Sequence, residues 1–264
     1  MRKILLLAAG IFVCQLVLAD SQAELAKKLS NPVAALISVP IEYIVDKNIG
    51  PEEHGELTQY KLSPVLPFNL NEDWNMISRT IVSFVDQDNI PGAGMGESGV
   101  SDIVQSVFFS PKAPTASGWI WGVGGVFLLD TASDDKLGAG KWGAGPTIVA
   151  LKQTGPWSYG LLSHYLSDVS GDDDRADVEQ FFLQPFLSYT LSRTKTSFYL
   201  QAESTRDIEA GETGTVAIFQ LGQMFKVGSQ IMQARIGVRH WLDSTEFGPE
   251  GTEFTAKLTF LFPK

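Results

Sequence analysis

The stretch GWIWGVGGVFLLD, residues 118–130, sets Trp119, Trp121, Val123, Phe127 and Leu129 on one phase of the chain and leaves Gly122 and Gly124 on the other. Period-two alternation marks a strand, because successive side chains leave a β-ribbon on opposite faces. A soluble sheet usually buries its apolar face and offers hydrophilic groups to water on the other. Here the second face is nearly bare. The fold must give one face hydrocarbon and the other a space too narrow for large side chains.

The same period recurs along the chain. Ile37, Val39, Ile41, Tyr43 and Val45 alternate with Ser38, Glu42 and Asp46, and Tyr60, Leu62, Leu66 and Phe68 with Gln59, Lys61, Ser63 and Asn69. Phe198, Leu200 and Ala202 oppose Gln201, Glu203 and Thr205. Met232, Ala234, Ile236 and Val238 oppose Gln233, Arg235 and Arg239, and Phe254, Ala256, Leu258, Phe260 and Phe262 oppose Glu253, Thr255, Lys257 and Thr259. Twelve strands are predicted, near 34–47, 57–69, 74–86, 99–110, 118–130, 140–152, 156–168, 178–190, 196–206, 214–226, 231–242 and 252–263. Those near 74, 99 and 214 alternate too weakly for their faces to be assigned.

Strands of roughly 11 to 13 residues exceed the five or six usual in globular sheets and suit a tilted crossing of a bilayer. The connections differ at the two ends of the meander. NLNED, SPKAPTASG, QTGP, TLSRTK and VGSQ are turn-like, whereas KNIGPEEHGE, DQDNIPGAGMGESG, TASDDKLGAG, SDVSGDDDRAD, DIEAGETG and DSTEFGPEG tend to be longer or more charged. These features predict an all-β fold: a 12-stranded antiparallel up-and-down transmembrane β-barrel with short periplasmic turns and longer extracellular loops. Trp119, Trp121, Trp142, Trp157, Tyr159 and Trp241 fall near strand ends, as an interfacial girdle requires. A soluble 12-stranded sandwich is the rival. Pro40, Pro64, Pro146 and Pro185 favour it, since each removes a ladder donor inside a strand.

The chain opens MRKILLLAAGIFVCQLVLAD, in which Arg2 and Lys3 precede an apolar run and Val17 and Ala19 offer a cleavage site, the layout of a secretory signal peptide over residues 1–19. The apolar run is too short for a spanning helix, which needs roughly 20 residues. Cleavage would remove Cys14, the one cysteine, and leave about 245 residues without thiol chemistry. Taking Arg2 and Lys3 from 20 basic residues leaves 18 against 30 acidic ones, a formal charge of −12 for the mature chain. Such a balance argues against nucleic acid as a partner. Residues 20–33, including SQAELAKKLSNP, form a short amphipathic segment for the periplasm or the lumen, and the barrel occupies 34–264.

Several segments together resemble the family of outer-membrane transporters named for the MetA pathway of phenol degradation. They are LSNPVAALISVPIEY, LNEDWNMISRTI, the block from VSDIVQSVFF through PWSYG, GDDDRADVEQFFLQPFLSY and the terminal FLFPK. The resemblance spans nearly the whole mature chain. It implies a β-barrel that passes small, often aromatic or hydrophobic, compounds through the outer membrane. One departure from the wider class of such barrels is the ending, where Pro263 and Lys264 follow Phe262.

No catalytic constellation is expected. His54 lies in the first outer loop, His164 in the seventh strand and His240 near the end of the eleventh. Ser163 and Ser167 are near His164 in sequence, but adjacent strand residues face opposite sides, so Ser163 and His164 are poorly placed as nucleophile and base. Asp172, Asp173, Asp174 and Asp177 crowd one outer loop without the glycine and terminal glutamate of an EF-hand, which makes a solvated acidic loop the simpler reading. GAGKWGAGP lacks the strand-then-helix context of a phosphate loop.

The polar phase carries the functional expectation. Glu42, Lys61, Gln184, Gln201, Glu203, Arg235, Arg239, Glu253 and Lys257 would face the lumen, with Arg79 joining them. Charges of both signs in a narrow interior should pair, and Arg235, Arg239, Lys257 and Glu42 could meet where the barrel closes. Such a network is either a structural plug or a selectivity filter. The expected protein is a monomeric passive channel for small solutes in the outer membrane of a Gram-negative bacterium. Lipid and lipopolysaccharide are its surroundings, and neither cofactor nor metal is expected. The alternatives are a lipid-modifying outer-membrane hydrolase and a sealed structural or adhesive barrel.

Overall fold

The computed structural model describes residues 22–263, so the expected signal peptide lies outside the described residues. Fourteen strand segments follow one another: β1 (Ile37–Ile49), β2 (Gly55–Leu62), β3 (Val65–Asn69), β4 (Trp74–Asp88), β5 (Ser98–Val100), β6 (Ile103–Pro111) and β7 (Trp119–Leu129). The second half comprises β8 (Lys141–Thr154), β9 (Trp157–Gly171), β10 (Glu179–Leu191), β11 (Thr196–Asp207), β12 (Glu212–Val227), β13 (Gln230–Asp243) and β14 (Thr252–Phe262). β2 and β3 share one barrel position between β1 and β4, and β5 and β6 share another beside β4. Fourteen segments therefore make 12 staves. Every stave pairs antiparallel with its neighbours, and β1 closes on β14 from Ile37↔Phe262 to Ile44↔Thr255. Closure removes both sheet edges, which a sandwich would have left open.

The prolines sit where the ladders are already interrupted. Pro64 falls in the break between β2 and β3, where pairing with β1 lapses between Ile41↔Leu62 and Ser38↔Val65. Pro185 keeps its register with Leu161 on β9, whereas on the β11 side pairing lapses between Leu183↔Ser204 and Phe186↔Gln201. Pro146 pairs with Gly125, and the ladder to β9 skips from Ala144↔Ser167 to Thr147↔His164. Missing donors are thus confined to irregular points, as P-containing strands require.

One end of the barrel carries the connections 70–73, 112–118, 155–156, 192–195 and 228–229, and the other carries 50–54, 89–97, 130–140, 172–178, 208–211 and 244–251. We call these the turn end and the loop end. The outer wall is apolar: Leu66, Phe68, Phe84, Phe109, Val123, Phe127, Leu200, Phe219, Ile236 and Phe254 are all exposed. A continuous greasy belt on a closed barrel is costly in water and stable in hydrocarbon. Aromatic pairs ring the turn end on the outside, Trp74 with Trp121, Trp119 with Tyr159 and Trp157 with Tyr189. Trp142 is exposed toward the loop end. Trp241 departs from the expected girdle. It pairs in register with the buried Val216, faces inward, and donates from Nε1 to Asp46 Oδ1 at 3.0 Å. Its phase is that of Arg235 and Arg239, which is the physical reason.

Residues 22–29 form a helix, and the chain from there to β1 sits inside the turn end. Leu25 and Ala26 pack with Ala34, Leu36, Met224 and Leu261, and Val33 packs with Ile77, Phe108, Val149, Leu151 and Leu162. Gln153 Nε2 donates to Lys27 O at 2.8 Å, and Ser188 Oγ to Ser30 Oγ at 2.9 Å. Residues 22–34 thus pack against buried side chains of the staves. The segment also accounts for Gly122 on the bare face of β7, where a Cβ would come within 3.0 Å of Val33 Cγ1, whereas one on Gly124 would strike the Val107 carbonyl of the neighbouring β6.

Candidate functional site: a charged lumenal cavity

Above the N-terminal plug lies a cavity of about 190 Å³. Its floor comes from residues 28–32 and its walls from β1–β4, β9–β11, β13 and β14. Eight of the ten residues expected in the lumen line it: Glu42, Lys61, Arg79, Gln184, Gln201, Glu203, Arg235 and Lys257. They meet because period two puts every second residue of a stave inside, and the antiparallel register then levels them. Glu42 is opposite Lys257 on one side and Lys61 on the other. Arg235 is opposite Lys257 in turn.

The contacts fall into three groups. Lys257 Nζ lies 2.9 Å from Glu42 Oε2, while Gln220 Nε2 and Thr255 Oγ1 donate to Glu42 Oε1 at 3.3 and 3.4 Å. Glu203 Oε1 accepts from both Gln184 Nε2 and Gln201 Nε2 at 2.9 Å. Arg235 lays its guanidinium 3.5 Å from the Tyr199 ring centroid and donates from Nε to Gln233 Oε1 at 2.6 Å, and Gln233 Nε2 donates to Tyr199 Oη at 3.0 Å. Stacking plus a hydrogen bond fixes the plane of the guanidinium, a geometry open to arginine and not to lysine.

The other two expected residues lie nearer the loop end and outside the cavity. Arg239 Nε is 3.5 Å from Asp46 Oδ1, both residues are buried, and the Arg239 guanidinium also lies 5.9 Å from the Trp241 ring. Glu253 stands opposite Arg239 in register. The expected cluster of Arg235, Arg239, Lys257 and Glu42 is therefore divided into two layers, with Asp46 rather than Glu42 as the partner of Arg239. Tyr199, Gln220, Gln233 and Asp46 were not singled out in the sequence, although Tyr199 shares the phase of Gln201 and Asp46 that of Glu42. The plug residues Lys28 and Asn31 gave no periodic signal.

The opposite arc of the lumen is apolar. Val126, Leu166 and Val178 are buried together, with Val104, Leu128 and Ala139 against them, and Phe182 and Phe186 pack on the Val33 cluster. Asp102 ties the loop 130–140 over this arc, its Oδ1 accepting from the amides of Thr131 and Ala132 at 3.0 Å and its Oδ2 from Ala139 at 2.7 Å.

His164 stacks on Phe182 with ring centroids 4.7 Å apart, and Ser163 Oγ donates to the Phe182 carbonyl at 2.8 Å. Among the described residues no hydrogen bond joins His164 to a serine. His240 Nδ1 lies 2.7 Å from Thr252 Oγ1, and His54 sits in the 50–54 connection. In the acidic loop, Asp177 Oδ1 pairs with Lys141 Nζ at 2.9 Å, and Asp172 Oδ1 accepts from the Asp174 amide at 3.0 Å.

No protein-family model matches the chain, nor does any curated protein. Among solved structures, the chain is similar to an outer-membrane channel from Pseudomonas putida F1, with a TM-score of 0.65 and 15% identity over 86% of this chain and 94% of that one. A FadL homologue from Pseudomonas aeruginosa is a looser likeness, with a TM-score of 0.37 and 9% identity over 78% of this chain and 67% of that one. At such identities the likeness extends to the fold, a closed barrel of the outer-membrane kind.

Proposed function

We propose that this protein is an outer-membrane channel that passes small solutes, aromatic or hydrophobic compounds among them, by passive diffusion through its lumen. One observation carries the reading: an apolar outer belt encloses a cavity of about 190 Å³ whose walls carry charge. Hydrocarbon outside and charge inside is the arrangement by which a barrel conducts rather than merely anchors. The turn end, with both chain termini of the barrel, faces the periplasm, and the longer loops face outward among lipid and lipopolysaccharide. The signal sequence delivers the chain, and a monomer suffices because the barrel closes on itself.

Within this reading the ten polar-phase residues are the solute-facing set. Glu42, Lys61, Arg79, Gln184, Gln201, Glu203, Arg235 and Lys257 meet the solute in the cavity, and Arg239 and Glu253 meet it on the way in. The resemblance to the phenol-pathway transporters supports the aromatic or hydrophobic class. Residues 22–34 stand in the path, so conduction requires them to shift or to leave a narrow route beside them.

The test is reconstitution of the mature chain in planar bilayers and in liposomes swollen with sugars, organic acids and aromatics. Discrete conductance steps, enlarged several-fold on deleting residues 22–34, are expected. Sealed bilayers from both forms would transfer the reading to a structural barrel, which the plug at the turn end favours.

A further inference from the structure

The whole chain carries a formal charge of −10, yet its cavity is lined by five cations, Lys28, Lys61, Arg79, Arg235 and Lys257, against two carboxylates, Glu42 and Glu203. Lys257 neutralises Glu42, and Glu203 is held by two glutamine amides. Among the described residues, Lys61, Arg79 and Arg235, each partly buried, have no carboxylate within ion-pair distance, while Lys28 is exposed at the rim. A cation withdrawn from bulk water into a low-dielectric enclosure is costly until a counter-charge arrives. The acidic residues that could have supplied it lie mostly at the loops. The sign of the cavity is therefore opposite to that of the molecule.

The same cavity has an apolar side formed by Leu29, Val65, Leu162 and Phe186. A ligand satisfying both sides carries a negative head toward Lys61, Arg79 and Arg235 and a compact apolar body toward the leucines and Phe186. At about 190 Å³ the space is smaller than the roughly 300–1,000 Å³ of pockets for drug-sized ligands, so the body is a small one. We infer that the cavity is a binding site for a small organic carboxylate, and that the barrel discriminates in favour of the anion over neutral and cationic compounds of the same shape.

This rests on the channel reading for its biological meaning but not for its test, since occupancy is measured apart from transport. Benzoate, benzyl alcohol and benzylamine share one body and differ in head charge. Equilibrium dialysis against the detergent-solubilised full barrel should give benzoate the tightest binding, by about tenfold over benzyl alcohol, with benzylamine weaker still. Arg79→Gln and Lys61→Gln should each weaken benzoate severalfold and leave benzyl alcohol unchanged, and Arg79→Lys should keep most of the affinity. Inorganic phosphate in excess should displace benzoate poorly, because it cannot fill the apolar side.

Equal binding of the three compounds would overturn the inference, as would benzoate affinity indifferent to both glutamine variants. Displacement by phosphate as efficient as by benzoate itself would reduce the site to a general anion sink and overturn the assignment of an organic acid. Should either variant fail to show the heat-dependent electrophoretic shift of a folded barrel, the ligand series on the unmodified chain and the other variant decide. A barrel that binds benzoate without conducting would sink the channel and spare the site, whereas a conducting barrel blind to benzoate would do the reverse.

Discussion

The two arcs of the lumen solve the same problem by different means. On β1, β2, β11, β13 and β14 the cavity-facing residues include charged and amide-bearing ones, and they are held by Lys257–Glu42, Arg239–Asp46 and the Arg235–Tyr199–Gln233 group. On β6–β10 the buried Phe108, Val126, Val149, Leu151, Leu162 and Leu166 face inward among small Gly, Ser and Thr residues, and they pack on Val33 or on one another. The apolar arc makes an ordinary core inside a barrel, stabilised by burial and sensitive to volume. The polar arc leaves space, because charged groups that keep water and partners do not close up. The cavity sits where these two modes meet.

Replacing Phe108, fully enclosed on the apolar arc, with alanine should cost about 3–5 kcal/mol by urea unfolding in lipid vesicles and leave ion selectivity untouched. A loss below about 1 kcal/mol would mean this arc is not a packed core. Asp46→Ala strands the buried Arg239 and should cost about 3 kcal/mol while moving the reversal potential toward anions. Adding Arg239→Met to it should recover most of the stability, and no recovery would deny that the two charges are partners. Asp102→Ala removes the acceptor of three loop amides, so a loss of about 1–3 kcal/mol and new protease cutting within 131–140 are expected. Trp241→Phe keeps an aromatic ring but loses the pyrrole half of the indole and with it the one hydrogen bond to Asp46, a change of about 1–2 kcal/mol with conductance preserved. A larger loss would show that the indole does more than brace the Asp46 layer.

The contrast between arcs also marks where sequence reading worked. β1, β11, β13 and β14 have lipid on one side and a polar lumen on the other, so their alternation is sharp. β4, β6 and β12 resisted assignment because both sides are greasy: Ile77, Phe108 and Ile218 are buried inside while Phe84, Phe109 and Phe219 are exposed outside. Periodicity vanishes when the two environments are alike. Trp241 was misplaced for a related reason, since a tryptophan near a strand end reads as a girdle residue until its phase is weighed. Pairing across the lumen was the least legible. Arg239 on β13 finds Asp46 on β1 across β14, a neighbourhood that exists only because the sheet closes.

By itself the sequence determined the strand period, the number of staves, the two unlike ends and the alternation of β1, β11, β13 and β14. These are local properties, written in the spacing of side chains along one strand. Only the tertiary structure decided that residues 22–34 enter the barrel, that Asp46 answers Arg239, and that unpaired cations gather in one cavity. Those outcomes depend on which staves stand side by side and on what fills the space between them, and no spacing along the chain encodes the contents of an enclosure.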